Sequence, residues 1–209
     1  MPVIALVGNK GGAGKTTLCV NLATAFASKS PTVILDADPQ QSSLQWRGIA
    51  DENAIIDVYE ANHDVNQAYH NIGNQYTNCL IDCPPSVHSE QMQQALRIAD
   101  LAIIPVQPSP LDIWATVHVE SEVEAARKDN PNLKALLLIN QFETRTQLSK
   151  IMRRALAELS LPAAETQVKR RAVYRNSFLE GRTVHDFGKR GAQASEEIHQ
   201  LIQEMENHL

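Results

Sequence analysis

The sequence has only three cysteines, Cys19, Cys79 and Cys83, and all fall in or beside apolar runs. They read as small core residues, not as a disulfide framework or a metal cluster. No stretch approaches the roughly 20 apolar residues of a membrane span. Met1-Pro2-Val3 lacks the basic region and long apolar stretch of a signal peptide. The chain's end lacks an apolar, strongly basic helix for a membrane surface. Internal repeats, low-complexity tails, helix-turn-helix signals and zinc-finger spacings are missing as well. Positive charge is not in excess: the formal net charge is -5. Any nucleic-acid role therefore falls to local patches. What remains is a cytosolic, soluble protein of 209 residues, most simply one domain over 1–209 with enough chain for a sizeable core.

Against these absences stands Gly8-Asn9-Lys10-Gly11-Gly12-Ala13-Gly14-Lys15-Thr16-Thr17. The apolar run Val3-Ile4-Ala5-Leu6-Val7 leads into it, and a helical pattern starts at Thr16. Strand, glycine-rich turn and helix is the arrangement of a phosphate-binding loop. Glycines let the backbone curl round phosphate with N–H groups inward, and the helix adds its positive end. Gly11, Gly12, Ala13, Gly14 and Thr17 form the cradle, Lys15 reaches the β- and γ-phosphates, and Thr16 offers a hydroxyl to Mg²⁺. The general pattern places glycine where Asn9 stands.

Two further strands end in carboxylates. Thr32-Val33-Ile34-Leu35 runs into Asp36-Ala37-Asp38-Pro39-Gln40, and Cys79-Leu80-Ile81 runs into Asp82-Cys83-Pro84-Pro85. Charged residues at the carboxyl ends of parallel strands sit where such sheets bind ligands. Asp36 is expected beside Mg²⁺ and its waters, Asp38 to orient or polarise an attacking water, and Asp82 to bind Mg²⁺, usually through water. Gln40 is a weaker candidate for the same region.

The second lysine, Lys10, gives the loop its character. With the Asp-x-Asp-Pro-Gln stretch and Asp82-Cys83-Pro84-Pro85, the chain resembles the ParA/MinD superfamily of deviant Walker A ATPases. It looks like a short form of the ParA branch, without an N-terminal DNA-binding domain. The resemblance implies an α/β P-loop NTPase fold, a mostly parallel central sheet with helices on both faces. It implies Mg-dependent hydrolysis of ATP to ADP and phosphate, with Lys10, Lys15 and Asp38 catalytic. Lys10 would cross an ATP-bound homodimer to the partner's phosphates, as an arginine finger does elsewhere. The proline-rich piece with Pro108, Pro110 and Asp112 resembles a dimer-contact segment. Asn140, ending the strand Lys134-Ala135-Leu136-Leu137-Leu138-Ile139, matches an adenine-contacting asparagine, and an amide suits a base edge. Arg175, or Arg170, lies in a region like the family's adenine-side loop.

Helices are expected at 16–30, where one face packs on the sheet, and at about 112–128 and 144–159. A final amphipathic helix carries Ala194, Ile198, Leu201 and Met205. Residues 61–78 read as a variable surface helix with loops. Basic residues gather at Lys150, Arg153 and Arg154 and again at Lys169, Arg170 and Arg171. The resemblance makes these a non-specific DNA surface, steep in salt. It also implies nucleoid association and an adaptor protein that stimulates hydrolysis. The default cargo is a plasmid or chromosome. The same engine positions a protein organelle such as the carboxysome, or a chemotaxis cluster. A metabolic P-loop phosphotransferase or ligase and a non-catalytic nucleotide-gated scaffold are the rival classes.

Overall fold

The computed structural model describes residues 1–52, 54–143 and 147–209, with the side chains of 147–150 and 153 outside the description. Seven strands form one sheet: β1 (Val3–Leu6), β2 (Thr32–Asp36), β3 (Asp57–Glu60), β4 (Asn78–Asp82), β5 (Leu101–Val106), β6 (Lys134–Phe142) and β7 (Ala163–Lys169). Their order is β3-β2-β4-β1-β5-β6-β7, and every described pairing is parallel. β1 lies near the centre, between β4 and β5. The central strands are continuous apolar runs because both faces of the sheet are covered.

Alternation sorts their side chains. Val3, Ala5 and Val7 enter one core, and Ile4 and Leu6 enter the other. On the first face lie α3 (Val65–Ile72), α4 (Glu90–Ile98), α5 (Pro110–Ala126) and α6 (Gln147–Leu156). On the second lie α1 (Lys15–Ala27), α2 (Ser42–Ile49), α7 (Ala172–Leu179) and α8 (Ala192–Glu206). A kinked 3₁₀ segment, Val184–Arg190, joins α7 to α8.

The helix after the loop differs from the one-faced packing expected. Leu18, Cys19, Val20, Leu22, Ala23 and Phe26 are all buried. The outer face of α1 is covered by α2, α7, α8 and the 3₁₀ segment, which turns a surface helix into a central one. Asn21 ties this cover down: its Oδ1 accepts from Val184 N at 2.9 Å. Ala194, Ile198, Leu201 and Met205 are buried, and α8 packs on β7 and α1.

Candidate functional site

The register of the sheet assembles the site. Asp36 stands opposite Asp82 across β2 and β4, and Leu6 opposite Asp82 across β1 and β4. Both carboxylates and the glycine loop therefore emerge on one edge, at the strand C-termini, where α/β sheets hold their ligands.

The loop takes the backbone only glycine tolerates, with φ of 79° at Gly12 and 91° at Gly14. A Cβ on Gly14 would meet Asn140 Nδ2 at 2.4 Å. Three side-chain amides hold the loop's carbonyls. Asn140 Nδ2 donates to Ala13 O at 2.7 Å, Gln141 Nε2 donates to Gly12 O at 2.8 Å, and Gln107 Nε2 donates to the same oxygen. With these carbonyls engaged, backbone N–H groups are left for an anion. Asn140 also accepts from Gln141 N at 2.9 Å. Each end of its amide retains hydrogen-bonding capacity for a base edge. Gln107 and Gln141 were not singled out in the sequence; their only signal is their position at the tips of β5 and β6.

Lys15 is buried and donates to Lys10 O at 3.3 Å. Burial lowers its pKa, while the negative charges of Asp82 and Asp38 work against that shift. Asp36 is fully buried and accepts from Leu44 N at 2.9 Å and Asp38 N at 3.2 Å. Burial still pushes its pKa up. Asp38 is buried beside it, one oxygen accepting from Gln40 N at 2.9 Å. Gln40 thus touches the site through its backbone.

Asp82 accepts from Ser43 Oγ at 2.8 Å. Burial, then the charge of Asp36, push its carboxyl up to about 7, against the pull of the Ser43 and Thr16 hydroxyls and Lys15. Its second oxygen is buried without a hydrogen-bond partner. An orphaned carboxylate oxygen beside a hydroxyl and a second carboxylate fits a hard divalent cation. Among the described residues no cluster of three or more His, Cys, Asp or Glu could hold a metal. Mg²⁺ uses one or two carboxylates together with phosphates and water. Ser43, at the start of α2, is a third residue the sequence did not flag.

Lys10 Nζ lies 2.8 Å from Asp112 Oδ1. The expected proline-rich loop becomes helix early: Pro110 opens α5, where its fixed φ and missing N–H cost nothing. Asp112 sits in that first turn, turned inward onto Lys10 of its own chain. Pro108 stays in the connection before the helix.

Beside the loop is a cavity of about 150 Å³, lined by Gly14, Thr17, Leu18, Asn140, Tyr174 and Arg175 among others. Lys169, Arg170 and Arg171 also line it, so this cluster forms the rim of a pocket, not an isolated basic face. Arg171 makes a two-pronged contact with buried Glu197, at 2.7 and 3.3 Å, and Lys169 Nζ lies 3.8 Å from the same carboxylate. Arg170 pairs with Glu143 at 2.7 Å. Arg154 is exposed on α6, and the side chains of Lys150 and Arg153, on the same helix, lie outside the description. Of the helix expected at 144–159, α6 covers Gln147–Leu156, and 144–146 lie outside the described residues.

A buried lysine at a glycine-loop mouth, facing carboxylates on two neighbouring strand tips, is built for nucleotide phosphates and a cation. This is the arrangement of P-loop NTPases. Residues 4–184 match the model of the CobQ/CobB/MinD/ParA nucleotide binding domain, and the chain belongs to that family. It is a P-loop ATPase that works on ATP with Mg²⁺, of the kind that positions or partitions a cellular cargo.

Relatives sharpen this. The chain is 37% identical over 205 residues to maintenance of carboxysome distribution protein A of Halothiobacillus neapolitanus, covering 97% of this chain and 95% of that one. It is 36% identical to protein ParA of Rhizobium radiobacter, over 58% of this chain and 54% of that one. Its fold is similar to that of apo McdA from Cyanthece, with a TM-score of 0.80, 14% identity, and coverage of 98% and 99% of the two chains. Among the described residues, no helix is long and apolar enough to cross a membrane.

Proposed function

We propose that this ATPase is a nucleotide-switched homodimer that distributes carboxysomes. The observation that carries the reading is the near-full-length likeness, at 37% identity, to a carboxysome distribution protein, set against ParA likenesses that are either shorter or less identical. This displaces the sequence-based default of plasmid or chromosome partition and favours its alternative.

The chain's own residues divide the work. The backbone of Gly11 to Gly14, with Thr17, holds the phosphates, and Lys15 neutralises them. Thr16, Asp36 and Asp82 would hold Mg²⁺, which when bound neutralises charge on the phosphate oxygens. Asp38, fixed by Gln40 N, orients the attacking water. Asn140 and Arg175 frame the base. Lys10 leaves Asp112 and reaches the nucleotide of the partner protomer. Pro108, Pro110 and the start of α5 contact that protomer.

The closed dimer binds DNA without sequence preference, which places the protein on the nucleoid. Arg154 and Arg170, with Lys150, Arg153 and Lys169, are the proposed contacts. Arg171 serves mainly to hold Glu197. An adaptor on the cargo stimulates hydrolysis and releases the dimer.

The test is imaging of labelled carboxysomes in cells that lack the gene. Spacing should collapse into clusters, and re-expression should restore it while Asp38→Ala should not. Normal spacing together with rising plasmid loss would return the reading to partition. DNA co-sedimentation in ATP, ADP and no nucleotide tests the switch; equal binding in all three would sink it.

A further inference from the structure

β7 stands at the edge of the sheet, beside β6. An edge strand presents backbone N–H groups that no ladder satisfies. Here α8 satisfies several of them with carboxylates. Glu204 accepts from Glu165 N at 2.6 Å and from Thr166 N at 3.0 Å. About two turns earlier on the helix, Glu197 accepts from Lys169 N at 3.2 Å.

The Glu197 end of this cover lies against the cavity beside the phosphate loop. Glu197 is buried, and both its oxygens hold Arg171: Oε1 accepts from Nη2 at 2.7 Å and Oε2 from Nε at 3.3 Å. Gln193 Oε1 accepts from Arg171 Nη1 at 2.7 Å, and Tyr174 Oη donates to Ala194 O at 3.3 Å. The first turns of α8 thus grip the turn between β7 and α7. Lys169, Arg171 and Tyr174 line the cavity, and Glu197 stands behind them. Two-pronged, charge-assisted bonds fix orientation as well as distance. A buried carboxylate stranded without partners is strongly unfavourable, so the turn is held where Glu197 can reach it. The phosphate loop is held by other residues: Asn140, Gln141 and Gln107 bond its carbonyls. The bonds of Glu197 described here go to Lys169 and Arg171 and leave the loop untouched.

We propose that Glu197 is a positioning residue for the adenosine end of the nucleotide. Through Lys169 and Arg171 it fixes one wall of the cavity, and it sets affinity for adenosine separately from affinity for the phosphates. This rests on the reading of the cavity as the base pocket.

The experiment is calorimetry on the full chain with Mg²⁺, titrating ATP and, separately, inorganic tripolyphosphate, which carries phosphates without base or sugar. Wild type should bind ATP more tightly than tripolyphosphate. Glu197→Gln should weaken ATP binding about tenfold and leave tripolyphosphate binding unchanged. Glu197→Asp keeps the charge but is too short to serve both Lys169 and Arg171, and it should show the same pattern more weakly. Melting temperatures identify the folded variants, and where Glu197→Gln does not fold, Glu197→Asp decides. A folded variant that keeps the full wild-type preference for ATP overturns the proposal and leaves the base-pocket reading standing. Equal loss of both ligands also overturns it, because a merely structural role would not separate adenosine from phosphate. Equal binding of the two ligands by wild type overturns the base-pocket reading itself.

Discussion

Lys10, the residue proposed to reach the partner's nucleotide, is held at 2.8 Å by Asp112 of its own chain. The carboxylate is 8% exposed and the lysine 49%, so the lysine can swing out while its partner stays in place. Half-exposed pairs are screened and contribute about 0.5–1 kcal/mol. Asp112→Asn is expected to shift ATP-dependent dimerisation toward the dimer by about two- to fivefold, measured by sedimentation velocity. Lys10→Ala should retain ATP binding and lose adaptor-stimulated turnover. A weaker Asp112→Asn dimer would show that the pair supports the dimer and does not compete with it.

The loop depends on a side chain more than a hundred residues away. Asn140→Ala removes the donor to Ala13 O, and an interaction of this kind contributes about 1–3 kcal/mol when a buried partner is stranded. ATP affinity should fall about tenfold or more, as read by calorimetry. Gly14→Ala combines a positive φ with a clash at 2.4 Å and should abolish nucleotide binding. Retained binding in Gly14→Ala would mean that the loop adopts another path when loaded.

Asp82 makes the metal-free protein sensitive to pH. Its folded carboxyl is raised from 3.8 to about 7, so the folded state holds a proton that the unfolded chain releases. Its contribution is fully present below about pH 4 and is lost as pH rises through about 7. Asp82→Asn should raise the melting temperature of the nucleotide-free protein at pH 8 and abolish Mg-dependent turnover. A lower melting temperature at pH 8 would contradict the buried-charge account.

His185 acts in the opposite sense. Burial lowers its pKa below 6.5, the hydrogen bond to Asn21 opposes that shift, and His199 adds to it. Its ring lies between Ser195 Oγ and Asn21 O. The unfolded chain takes up the proton first, so stability is lost as pH falls below about 6.5. His185→Gln should flatten the melting temperature between pH 6.5 and 5, whatever its offset. An unchanged slope would assign that dependence to other groups.

The local sequence determined the phosphate loop, the strands ending in Asp36 and Asp82, and the family they imply, because strand, glycine turn and helix are encoded within a few residues. It also placed Lys10 beside Lys15. It did not reveal that Asp112 holds Lys10, that Ser43 holds Asp82, or that Gln107, Asn140 and Gln141 hold the loop's carbonyls. These contacts join positions far apart in the chain, and only the parallel register that sets strand tips side by side creates them. For the same reason the basic run at Lys169 to Arg171 looked like a free surface, whereas buried Glu197, on a helix nearly thirty residues later, takes up Arg171. Chemistry written along one strand and its turn was legible from residues alone. Which charges are engaged was decided by packing across the sheet.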